Sequence, residues 1–271
     1  MSIEECEKFL NEDKYEEALK CFEKILGRNP NNIPALLGAA VSCIYLEKYS
    51  KALKYYERIL KIDPNNADAW WGKGVALLRL GRVKRALDAF MQALKLDPSM
   101  AEAWIEIGVA FHALGKYEDA LKAFDKALQI DPNNAIAWIN KGVVLQDLKK
   151  HKEALDCFEK AIKIDRTLAL AWYNRGVSLE ALSQYDKALE SYKVAFELNK
   201  NDIQALIRIA RILLQQNKPE EAIKYLDIAL EINPKSPEAK WYKALALKLL
   251  NKEKEAMKIM EEAIEETEEI E

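Results

Sequence analysis

Side chains able to carry chemistry are few and scattered along this sequence. The two histidines, His112 and His151, have no Cys or His companion at ligand spacing, so no metal site is expected. Cys6, Cys21, Cys43 and Cys157 show no C-x-x-C pairing and read as reduced thiols of a cytoplasmic protein. Gly72 and Gly74 give G-x-G inside a helical pattern, but the third glycine of a dinucleotide fingerprint is missing. Basic runs from Arg79 to Arg85 and from Lys149 to Lys152 fall in turns between helical segments, where solvated loops explain them. No nucleophile, base and orienting group come together. The chain is therefore expected to be no enzyme and to need no cofactor.

A period organises the sequence instead. Pro30, Pro64, Pro98 and Pro132 follow one another at 34 residues, and Pro234 falls on the same grid. Arg166 and Lys200 occupy the skipped points, in the settings Ile-Asp-Arg and Leu-Asn-Lys. A constant period without insertions means one supersecondary unit stacked repeatedly. In residues 67–100, Trp70, Lys73, Gly74 and Leu77 form one stripe of a helix that Gly81 closes. Ala86, Phe90 and Ala93 line a second helix, which Asp97-Pro98 ends. Small residues facing aromatics let two antiparallel helices approach closely.

The pattern continues with Trp104, Gly108, Tyr117, Ala120, Phe124, Ala127 and Pro132, then with Trp138, Gly142, Ala154, Phe158 and Ala161. Trp172, Gly176, Tyr185, Ala188, Tyr192 and Ala195 follow. These residues closely resemble the signature of the tetratricopeptide repeat (TPR) family. The resemblance implies an all-α, right-handed superhelical solenoid of antiparallel helix pairs. It divides residues 1–271 into a single array of eight units and sixteen helices: 1–32, 33–66, 67–100, 101–134, 135–168, 169–202, 203–236 and 237–270. The flanking units depart from the signature; Pro219 replaces a Tyr and Lys240 holds a Trp position. Seven glutamates crowd the last eleven residues and oppose the helix dipole, so the last turn is expected to fray. No polar seventeenth helix follows, which leaves a longer chain or self-association through uncapped ends as ways to cover the final face.

Bulk properties narrow the function. The formal net charge of −3 argues against binding nucleic acid by phosphate neutralisation. No run of about 18 apolar residues suggests a membrane span, and the acidic start does not read as a secretory signal. Abundant Lys, Glu and Ile lean towards a thermophile.

A second apolar line runs along each first helix: Trp71 and Val75, Ile105 and Val109, Ile139 and Val143, Tyr173 and Val177. The resemblance implies that this face lines the concave inner surface, where peptide partners lie. Packing between successive first helices would explain the same residues. Asn140 and Asn174 stand beside the line at equivalent positions, and the family's asparagines there hydrogen-bond a peptide backbone. Arg208 and Arg211 add positive charge at one end. The family's clamp for acidic chaperone tails is not matched, because Ile139 and Val143 hold its first positions and Gln204 replaces a lysine. The expected role is a protein–protein interaction scaffold for a peptide or helical segment with an apolar core and an acidic end. The alternatives are a self-assembling structural scaffold and a targeting subunit of an enzyme complex.

Overall fold

The computed structural model describes residues 2–268, with side chains through residue 263. Its described residues form sixteen helices and no strand. The helices α1 (Ile3–Asn11), α2 (Tyr15–Arg28), α3 (Ile33–Tyr45), α4 (Tyr49–Ile62), α5 (Ala67–Arg79), α6 (Val83–Leu96), α7 (Ala101–Ala113) and α8 (Tyr117–Ile130) belong to one compact unit, Met1–Asn133. A second unit, Asn134–Glu271, holds α9 (Ala135–Asp147), α10 (His151–Ile164), α11 (Ala169–Ala181), α12 (Tyr185–Leu198), α13 (Ile203–Gln215), α14 (Pro219–Ile232), α15 (Pro237–Leu249) and α16 (Glu253–Glu268). Within each unit, short turns join consecutive helices into antiparallel pairs. The fraying expected of the glutamate-rich end concerns residues 264–271, which lie outside the described side chains.

In four of the pairs the close approach follows from side-chain volume. A Cβ built on Gly74, Gly108, Gly142 or Gly176 would sit 2.4–2.7 Å from the ring of Phe90, Phe124, Phe158 or Tyr192, respectively. All four rings are fully buried. Gly72 belongs to a different contact, because its missing Cβ makes room for Tyr56 of the preceding pair. Both members of the G-x-G are thus explained by packing.

Turns and caps repeat with the same period. The residue at the centre of each intra-pair turn is left-handed, with φ of 56–71°: Asp13, Glu47, Gly81 and Gly115 in the first unit, Lys149, Ser183, Asn217 and Asn251 in the second. Between pairs, Asn32, Asn66, Asn134, Asp202 and Ser236 accept hydrogen bonds from the backbone N–H three residues on. The indole N–H of Trp70 donates to the carbonyl of Pro64 at 2.9 Å, and that of Trp172 to the carbonyl of Arg166 at 3.0 Å. A missing proline therefore costs the junction no acceptor. Lys240, in the Trp position of its unit, is buried.

One expectation is overturned. Cys6 and Cys21 are joined by a disulfide between α1 and α2, whereas Cys43 and Cys157 are buried thiols. The reason is the antiparallel pairing of α1 with α2, which brings the two residues together. Cys6 stands 34 residues before Ala40, at the small-residue position, where the Cα atoms of Cys6 and Cys21 come within 5.4 Å. The inference of four reduced cysteines does not hold for this pair.

Non-glycine residues pay a steric penalty in the left-handed region. Glu47→Gly or Lys149→Gly should therefore raise unfolding stability by up to about 1 kcal/mol, and Gly81→Ala should lower it by a similar amount. Urea denaturation of the three variants measures this.

Candidate functional site

In the second unit, the first helices α9, α11 and α13 carry the candidate residues. Ile139 is 2% exposed and belongs to the core. Asn140, Val143, Tyr173, Asn174, Val177, Arg208 and Arg211 are half-buried. Polar side chains tie these helices together along this face. The Gln146 side-chain amide donates 2.9 Å hydrogen bonds to the Asn174 carbonyl and to Ser178 Oγ. One period later, the Glu180 carboxylate, only 12% exposed, receives Arg211 and lies 3.6 Å from Arg208. It also accepts the Tyr192 hydroxyl at 2.9 Å. Burial pushes that phenol's pKa up, and Glu180 pushes it further. The Tyr173 and Tyr192 rings lie 5.5 Å apart.

Glu180 changes the meaning of the two arginines. Two guanidinium groups against one carboxylate leave one positive charge, held partly out of water. Arg208 and Arg211 are inter-helix ties, joining α13 to Glu180 of α11. Asn174 is engaged as well, since its amide nitrogen donates to the Leu170 carbonyl at 3.0 Å.

Two exposed residues extend the face beyond the expected set. Ile136 is 50% exposed on α9 and Leu170 is 58% exposed on α11. They stand 34 residues apart, one turn before Asn140 and Asn174. The sequence signal was a large apolar residue at the second position of two successive first helices, where Asp68, Glu102, Gln204 and Glu238 stand elsewhere.

The first unit presents a different face. Val75 and Ile105 are buried, and Trp71 and Val109 are half-buried. Trp71 Nε1 is buried and has no hydrogen-bond partner. Glu106 takes the position that Asn140 and Asn174 hold, and burial raises its carboxyl pKa against the opposing pull of Arg79. Asp68, Trp71, Asp97, Ser99, Met100 and Glu102 line a cleft of about 430 Å³. No group of three or more potential metal ligands occurs among the described residues.

The family model for the C-terminal domain of cilia and flagella-associated protein 70, a TPR domain, matches residues 45–231. Two tetratricopeptide repeat models match residues 207–269 and 9–32. The chain belongs to the tetratricopeptide repeat family.

Solved TPR structures share the fold. Cut9 in the APC/C hetero-tetramer Cut9–Hcn1 is 22% identical, with a TM-score of 0.72 over 83% of this chain and 45% of that one. The chain thus spans less than half the length of that relative. PilF of Pseudomonas aeruginosa is 21% identical, with a TM-score of 0.70 over 81% of this chain and 99% of that one. YrrB, described as a TPR protein with an unusual peptide-binding site, is 24% identical, with a TM-score of 0.55 over 68% of this chain and 95% of that one. No curated protein matches the chain. TPR proteins are in general non-enzymatic interaction scaffolds, and membership supports that general role here. Among the described residues, no helix is long and apolar enough to cross a membrane.

Between neighbouring TPR pairs, removal of the Glu180 carboxylate should leave two half-buried cations uncompensated. Glu180→Ala is expected to cost about 1–3 kcal/mol of unfolding stability. Glu159→Ala, which removes a half-exposed partner of Arg175, should cost less than about 1 kcal/mol. Parallel urea titrations compare the two.

Proposed function

We propose that this chain is a protein-interaction scaffold whose second unit binds an extended peptide segment along α9, α11 and α13. The observation that carries this reading is the exposed pair Ile136 and Leu170, set at equivalent positions on successive first helices. Water contact at two large apolar side chains is unfavourable, and a partner's apolar side chains relieve it. Asn140 and Asn174 stand one turn away; Asn140 offers its side-chain amide to a peptide backbone, and Asn174, whose amide nitrogen donates to the Leu170 carbonyl, offers its side-chain oxygen. Arg208 and Arg211 follow with their one uncompensated charge.

That order defines the ligand. Apolar residues meet α9 and α11, and an acidic residue meets α13. Neighbouring helices pack roughly 10 Å apart, so the three first helices span about 20 Å, the reach of about six extended residues. Val143, Tyr173 and Val177 form the half-buried floor, and Ile139 supports it from the core. In the first unit, Trp71 lines a cleft with Asp68, Asp97 and Glu102, which makes that face a poorer match to the same ligand.

Fluorescence anisotropy with a set of ten-residue peptides tests the reading. Peptides with two apolar residues followed by acidic ones should bind, and sequence-scrambled ones should bind more weakly. Leu170→Asp should weaken the best peptide by at least about tenfold, the worth of burying one such side chain, with far-UV circular dichroism and melting temperature unchanged. Asn174→Ala should weaken it by less. Equal binding to Leu170→Asp, or no binding by any peptide, would contradict the reading.

A further inference from the structure

We propose that the Cys6–Cys21 disulfide is a redox latch: it holds α1 on the first unit, and its reduction by a small dithiol releases that helix. The argument starts from how little else holds α1. It has nine residues and a single buried one, Cys6. The corresponding first helices α3, α5 and α7 have thirteen residues each and bury six apiece. Ile3, Phe9 and Leu10 add only half-buried packing against the core. A nine-residue helix is too short to persist alone in water. The capping box at Ser2 and Glu5 fixes where α1 starts but does not attach it to its neighbours.

The bond supplies what packing does not. It closes a loop across 15 residues and so removes the freedom α1 would gain by leaving. Both cysteines are shielded, Cys6 at 0% and Cys21 at 2% exposure. An attacking thiolate cannot reach either sulfur until α1 lifts. Reduction is therefore gated by opening of the helix. In that step the reductant's thiolate bonds to one cysteine sulfur and the other leaves as a thiolate that takes up a proton. The reductant's second thiol then closes on the first, giving two protein thiols and one cyclic disulfide. With the bond gone, α1 leaves and the apolar sides of α2 and α3 beneath it meet solvent. Re-formation needs α1 docked, since only then are the two Cα atoms 5.4 Å apart.

The rest of the chain supplies a control for packing. Ala40 stands at the Cys6 position one repeat later, and Ala89 and Ala123 stand at the Cys21 position two and three repeats later. The double variant Cys6→Ala, Cys21→Ala thus keeps side chains this fold accepts while removing the bond.

The test uses the intact chain, air-oxidised and then treated with dithiothreitol. Iodoacetamide labelling in denaturant, read by mass, should modify two cysteines before reduction and four after. Hydrogen exchange over residues 3–11 should accelerate by roughly a hundredfold on reduction, the factor a loop closure of this length is worth. Exchange in α4 to α8 should not change. Reduction itself should speed up in low urea, and the double variant should exchange like the reduced chain. Four labelled cysteines in the air-oxidised chain would overturn the proposal. So would equal protection of residues 3–11 in the oxidised, reduced and double-variant proteins.

Discussion

Two pairs in each unit depend on one steric constraint: a ring on one helix occupies the space that a Cβ on its partner would need. The contact recurs between Gly74 and Phe90, Gly108 and Phe124, Gly142 and Phe158, and Gly176 and Tyr192. It sets how closely the two helices of a pair approach. That distance fixes the three-residue turn, and the turn forces a left-handed residue at its centre. In the α1–α2 pair Cys6 holds the glycine's place, and its Cα comes within 5.4 Å of that of Cys21. Interiors packed to this density respond to the addition of a single methyl group.

Because the constraint acts on paired helices, it leaves one side of each first helix free of the pair. In the second unit that side is joined from helix to helix by polar side chains, Gln146 to the next pair and Glu180 to the one after. These ties hold the face in register without covering it. Ile136 and Leu170 remain in contact with water as a result. A surface tied in this way would be fixed in shape before the proposed partner arrives, and little ordering entropy would oppose that binding.

Features that obey the period were legible in the sequence. The helix pairs and the glycine–aromatic contacts follow from residue types at constant spacing, whereas the bond from the Trp70 indole to the Pro64 carbonyl does not. The left-handed turns were only partly legible, since Gly81 and Gly115 announce them but Glu47, Lys149 and Ser183 do not. Features that break the period were hidden. Glu180 is one acidic residue among many, and only packing shows that two arginines converge on it. Cys6 and Cys21 carry no motif spacing; their meeting follows from placing Cys6 at the small-residue position. The sequence left Ile139 open between a groove-lining and a packing role; it is buried at 2% exposure, whereas Ile136 and Leu170 stand clear.

The central claim is that the face of α9, α11 and α13 is where a partner lies. Hydrogen exchange of the intact chain, with and without a saturating apolar–acidic peptide, tests it most directly. The account predicts added protection in residues 136–147, 170–181 and 203–215, with none in α10, α12 or α14. Protection confined to those second helices, or to the turns, would contradict it.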